Sequence, residues 1–140
     1  SSSLYAEKRN HSRTYLANNL FWLNQGKDIH ISRFADSTQI ASWLVDNDFD
    51  EHFGVIDHNI GSVTVDPGFG TNVDFLPIAD SPIANAGRAA PAAQATPAFE
   101  DDWNYGAADF RGLPRVKSGR VAIGAMQPPA IPSLFVDGFE

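Results

Sequence analysis

The densest set of chemistry-bearing side chains is Asp46, Asp48, Asp50, Glu51, His52 and Asp57. Alternating carboxylates in an oxygen-rich loop suit calcium, a hard cation that takes oxygen ligands. The EF-hand form of such a loop needs glycine at its sixth position and glutamate at its twelfth. Counted from Asp46, those positions hold Glu51 and Asp57, so the pattern is not met. The simpler expectation places Asp48 and Asp50 on a solvent-facing turn either side of an inward Phe49. Calcium is the only cofactor that the residue types suggest, and no metal-ligand set is assigned.

The histidines offer less. Zinc would need three or four ligands at about 2.1 Å, and His30, His52 and His58 show no helical i, i+4 spacing. In Asp28-Ile29-His30-Ile31, strand alternation puts the isoleucines on one face and His30 on the other. No G-x-S-x-G nucleophile elbow occurs. Asp66 and Asp74 are one of many carboxylate pairs available among 17 acids. No catalytic residue is assigned.

The aromatic residues carry the binding expectation. Trp22 and Trp43 are the candidate ligand-binding residues. Trp43 precedes Leu44, which is expected to point inward, and Trp22 occupies a position equivalent to Asp50 in the repeat described below. Both indoles are therefore expected to face outward, as platforms for sugar rings or a protein surface. The competing expectation is that the Ala/Pro-rich segment, or Trp103 and Tyr105, folds back over them.

The elements that must hold these side chains are strands. Residues 13–78 are short runs of Val, Ile, Leu, Phe and Trp punctuated by Asn, Asp and Gly, with no sustained helical spacing. From Ala79 to Ala98 the chain turns to Ala and Pro, and Pro82, Pro91 and Pro97 cut any helix to a single turn near Ala89–Gln94. Asp109-Phe110-Arg111-Gly112-Leu113-Pro114-Arg115 has turn composition, and Val121–Met126 has the composition of an apolar strand.

Leu16, Asn19 and Phe21 recur as Leu44, Asn47 and Phe49, 28 residues later. Repeats of this period with strand and turn composition indicate stacked units. Stacking would bring Asn19 and Asn47 about 4.8 Å apart as an amide ladder. It would also place Phe21 on Phe49 and Leu16 on Leu44 inside. Asn at 19 and 47 would hold the left-handed turn between strands.

Val63–Phe69, Asp74–Pro77, Asp80–Gly87, Asp109–Arg115 and Gly119–Met126 follow in a distinctive order. The series resembles the C-terminal end of secreted bacterial right-handed parallel β-helix proteins of the pectate-lyase-like superfamily. These carry D-P-x-F, S-P-A-I-D-A-G, D-x-x-G-x-P-R and D-I-G-A motifs. Phe135-Val136-Asp137-Gly138-Phe139-Glu140 resembles the F-x-D-G-F-E tail of some exported proteins. Two family acids are neutral here, at Asn85 and Ala122, and Ile83-Ala84 are transposed, so the motifs are expected to be packing and turn devices.

The resemblance implies an all-β right-handed parallel β-helix (β-solenoid). Its terminal coils would lie in residues 1–78, an Ala/Pro-rich loop and closing strand in 79–127, and a Pro-rich connector and tail in 128–140. It implies a non-catalytic module of an exported or surface protein that contacts polysaccharide or another protein. The alternative is the end piece of a polysaccharide lyase whose catalytic residues lie upstream. Such a lyase needs an Arg or Lys base. Arg33, Arg88, Arg111, Arg115 and Arg120 are available, but most fall in the closing segment. The remaining partner expected is a preceding set of coils, or a second chain, covering Leu16, Phe21 and Leu23.

Composition narrows the classes. At 140 residues the chain is expected to form one domain. A net charge of −7 disfavours nucleic acid and anionic membranes as partners. Without cysteine there is no disulfide framework and no thiolate metal site. Ser1–Tyr5 lacks the pattern of a signal peptide, and prolines 128, 129 and 132 break the apolar stretch 121–136.

Overall fold

Short β-branched and aromatic runs separated by Gly, Asn and Asp give eight strands: β1 Leu4–Lys8, β2 Thr14–Ala17, β3 Ile29–Arg33, β4 Ser42–Val45, β5 His52–Phe53, β6 His58–Ile60, β7 Gly87–Arg88 and β8 Arg120–Val121. The computed structural model describes residues 4–8, 14–33, 41–70, 75–89 and 106–129. Among these residues there is no helix, and the architecture is all-β in small sheets. The expected turn at Ala89–Gln94, apart from Ala89 itself, and the tail from 130 lie outside the described residues. Far-UV circular dichroism is expected to give a helix content far below the third typical of globular domains, and a value near a third would contradict the fold.

The chain alternates between two parallel sheets, ordered β1-β3-β5 and β2-β4-β6. Leu16 pairs with Leu44 and Tyr15 with Trp43, which is the register of the 28-residue repeat. A third parallel column joins Leu20, Asp48 and Val63. The next spacing is shorter: Ser42 bonds Asp57, and Asn47 bonds Ser62, both 15 residues on. The sequence repeat therefore covers two levels, and a third follows after a shorter loop.

The amide ladder is present. Asn19 donates from its backbone N–H and from Nδ2 to Asn47 Oδ1, each at 3.0 Å, and Asn47 Nδ2 donates to the Leu16 carbonyl at 2.9 Å. On the third level Ser62 Oγ accepts from the Asn47 N–H. The left-handed residues, however, sit one position earlier than the sequence suggests. They are Asn18 (φ 57°), Asp46 (φ 48°) and Gly61 (φ 68°), stacked in one column. Neighbouring positions thus divide the work, one bending the backbone while the next satisfies buried amides across levels. Gly61 is required by contact as well as by φ, since a Cβ there would lie 2.1 Å from Asp46 Oδ1.

Ile29, Ile31, Leu44 and Phe49 form one buried cluster, with Leu16, Phe21 and Ile56 against it, so the repeat's Leu and Phe positions do point inward. All four residues of β4 are buried, which corrects the outward, exposed Trp43. Trp43 is only 6% exposed and forms a second cluster with Val45, alongside Tyr15, Ala17, Ala41 and Ile60. Alternation correctly puts it opposite Leu44. Its column neighbours bury it, with Tyr15 on one side and, on the other, the His58 ring stacked at 4.9 Å. Both faces of the central strand β4 are covered, as is usual for parallel strands, while β2 is half-buried and β6 is mostly exposed.

The closing segment is tied by polar bonds. β7 pairs antiparallel with β8, and beyond Val121 the expected strand gives way to a bend. Ile83, Val121, Ala122 and Ile123 are fully buried. Asp109 anchors the turn: Oδ1 accepts from the N–H groups of Arg111 and Leu113, and Oδ2 from the Gln127 N–H and from Arg111 Nη2. Arg115 donates to the carbonyls of Gly124 and Ala122. Burial alone would raise the Asp109 carboxyl, but the N–H groups of Leu113 and Gln127 and the Arg111 contacts outweigh it and hold the carboxyl at about 2. Its folded value lies below the ordinary 3.8, so its contribution is complete above about pH 4 and is lost as pH falls toward 2. Asp109→Ala is expected to cost about 2–3 kcal/mol at pH 7 and to flatten acid unfolding in that window, measured by denaturant melts against pH.

Candidate functional site

Trp22 stands where two cavities meet. It is half-buried and lies on the loop after Leu20, whose bridge to Asp48 fixes the loop on the stack. On one side is a groove of about 1130 Å³ between residues 15–24 and the returning segments around Phe75, Phe110 and Ile123. Leu23, Phe75 and Phe110 on its wall are 83%, 72% and 89% exposed, a concentration of apolar surface that monomeric proteins usually cover or use. On the other side is a cavity of about 380 Å³, whose wall includes Trp22, Asp28, Asp48, Asp50, Glu51 and Thr64.

The carboxylates of this smaller cavity differ in their surroundings. Asp28 is satisfied, accepting from Asn24 Nδ2 at 2.8 Å and from the Asp50 N–H at 2.7 Å. Glu51 is exposed and pairs with Lys27 at 2.5 Å. Asp50 is exposed, as its place on a turn implied. Asp48 is not. It is 1% exposed, because the Leu20–Asp48–Val63 column takes it into the stack, and this corrects the solvent-facing expectation. Its Oδ1 accepts from the Val65 N–H, while Oδ2 is buried with no hydrogen-bond partner.

Burial pushes the Asp48 carboxyl up to about 6, against the Val65 N–H, with the charges of Asp28 and Asp66 adding to the rise. Between pH 3.8 and about 6 the unfolded chain has ionised this group while the folded chain keeps its proton. Stability from Asp48 therefore falls as pH rises through that window, and the penalty is complete above it. Asp48→Asn keeps an acceptor for Val65 and is expected to raise stability by about 1 kcal/mol at pH 7 and little at pH 4. Melts at the two pH values check this; equal effects would mean that the carboxyl is not strained by burial.

The other candidates are structural in their contacts. Asp57 accepts from the Ser42 N–H and Oγ, tying the second level to the third. His30 packs edge-on against Phe53, and His52 against Phe49. Arg88 pairs with Asp46, and Arg120 donates to the carbonyls of Asn85 and Ala86. Asp66 accepts from the Gly68 N–H within its own turn, and Asp74 lies outside the described residues. Among the described residues no three His, Asp or Glu side chains converge on a point that could hold a metal ion. No helix there is long and apolar enough to cross a membrane. No protein-family model, curated protein or solved structure matches the chain.

Sequence reasoning named Trp22 and the acidic group holding Asp48, Asp50 and Glu51 separately, and did not place them, or Asp28, on one cavity. Asp28 belongs to a strand start 20 residues before Asp48, and only the parallel register brings the Asp28 and Asp50 loops together.

Proposed function

We propose that the chain forms coils of a right-handed parallel β-helix of the pectate-lyase-like kind. In this reading it is a non-catalytic module of an exported or surface protein that holds polysaccharide beside Trp22. The observation that carries the binding reading is the position of Trp22, half-buried between an apolar groove and a carboxylate-lined cavity. Sugar rings present apolar faces to aromatic residues and hydroxyl groups to carboxylates and amides, and this wall offers both. Strands that alternate between two parallel sheets, with residues stacked in columns, support the β-helix reading.

The test is affinity electrophoresis against a panel of neutral, cationic and anionic polysaccharides, with the protein and its Trp22→Ala variant. Retarded migration that the variant loses by tenfold or more in apparent affinity is expected. No retardation by any polysaccharide, or retardation unchanged in the variant, would overturn the reading.

A further inference from the structure

The parallel column Leu20–Asp48–Val63 has a direction. Asp48 turns both of its main-chain groups toward the first level: its N–H donates to the Asn19 carbonyl, and its carbonyl accepts from the Phe21 N–H. Val63 does the same toward the second level, with Asn47 and Phe49. By the same register Leu20 turns its N–H and carbonyl away from Asp48, to the open side of the first level. Neither group has a hydrogen-bond partner among the described residues. An edge of this kind is a template for an added strand.

The groove of about 1130 Å³ lies along that edge. Tyr15, Leu16 and Ala17 of β2 all line it, whereas a sheet face would contribute alternate residues, so it runs over the rim of the level. Leu23, Phe75 and Phe110 give it an exposed apolar wall. In a chain with 17 acids, none of the described lining residues is acidic, and the charged one is Arg115. Residues 123–126 form the far wall, held to the first level by the Gly124 N–H, which donates to the Asn18 carbonyl at 2.8 Å.

The occupant that fits is extended, apolar and acidic, and the chain carries one within reach. Residues 130–140, which lie outside the described residues, begin four positions after Met126 of the groove wall. Fully extended they span about 36 Å. Within them, residues 134–139 read Leu-Phe-Val-Asp-Gly-Phe, free of proline. Strand alternation puts Phe135, Asp137 and Phe139 on one face, which matches an apolar groove with a single cation. Carried on the same chain, this segment meets the groove at an effective concentration on the order of millimolar, which a separate chain lacks.

We propose that residues 134–139 add to the open edge as a strand, pairing with the Leu20 N–H and carbonyl, with Phe135 and Phe139 filling the groove. The inference goes beyond the saccharide reading and does not rest on it, and its test contains no saccharide.

The experiment is amide hydrogen exchange of the whole chain by NMR at two protein concentrations. The Asp48 N–H, bonded inside the stack, serves as the internal reference. Leu20 is expected to exchange at least tenfold more slowly than an unprotected amide, equally at both concentrations. Phe135→Asp with Phe139→Asp should remove that protection and leave Asp48 protected. An unprotected Leu20 in the whole chain, or protection unchanged in the variant, would overturn the proposal. Protection that grows with protein concentration would overturn it in favour of a second copy of the chain. If the variant loses protection at Asp48 as well, disulfide capture decides, since the chain has no cysteine of its own. Leu23→Cys with Gly138→Cys is expected to close within one chain at least tenfold faster than Phe53→Cys with Gly138→Cys, and equal rates would overturn the proposal.

Discussion

Asn47→Leu is expected to destabilise the chain by about 3 kcal/mol, whereas Asp50→Ala should change stability by less than about 0.5 kcal/mol. Leucine has the same branched skeleton as asparagine and is more apolar, so hydrophobicity alone would favour the change. Asn47 is fully buried, however, and its side chain satisfies three groups on the preceding level: the Asn19 N–H, Asn19 Nδ2 and the Leu16 carbonyl. Leucine can replace none of these bonds, and the groups left behind are half-buried, with only Asn19 Nδ2 keeping another partner in the Ala17 carbonyl. Each lost partner in such a place costs about 1 kcal/mol or more. Asp50 is exposed, and what it gives to the fold is its backbone N–H, donated to Asp28, which alanine retains. Denaturant melts of the two variants separate the effects. Similar losses would mean that the ladder contributes no more than a surface turn.

The ladder was legible in the sequence because Leu, Asn and Phe recur at fixed spacing, and each recurs for a physical reason. The Leu and Phe positions fill one interior, and the Asn positions bridge levels. The third level was hidden because the spacing drops to 15 and the residue types change: Ser62 follows Asn47, and Gly61 follows Asp46. Those replacements keep the function of each column while erasing its letters. Trp43 was misplaced for a related reason. Period-two alternation tells which face a residue occupies, but not whether that face meets water, and here Tyr15 and His58 cover it. Asp48 shows the same limit, as its burial follows from a bridge to Val63 that no local pattern announces. At the candidate site, the sequence named Trp22 and, separately, the acidic group holding Asp48, Asp50 and Glu51, but not Asp28 or the cavity they share with Trp22, which forms only through parallel register.

Arg88→Ala is expected to be the most damaging single truncation, at about 3–5 kcal/mol. Arg88 Nε and Nη2 hold the Asp46 carboxylate at 2.6 and 3.0 Å, a two-point contact that suits the planar guanidinium. Asp46 is 2% exposed, on a left-handed backbone, and its carboxylate is covered by the Arg88 side chain, itself a quarter exposed. Asp46 bonds raise the Arg88 pKa above its already high ordinary value despite partial burial, so the cation persists at any pH the fold survives. The backbone of Arg88 is also clamped, with its N–H bonded to Asn18 Oδ1 and its carbonyl to Asn18 Nδ2, both at 3.0 Å. The closing segment therefore docks on the column of left-handed residues, using Asn18 through its amide and Asp46 through its charge. Removing the guanidinium leaves a buried carboxylate uncompensated, which costs more than the pair contributes. Asp46→Asn combined with Arg88→Met removes both charges and keeps a residue tolerant of positive φ, so the double variant is expected to recover more than half of the loss. Limited proteolysis should track the melts, with Arg88→Ala cut early near β7 and the double variant protected. An Arg88→Ala loss below about 1 kcal/mol, or a double variant less stable than either single one, would show that the backbone clamp by Asn18 alone holds the segment in place.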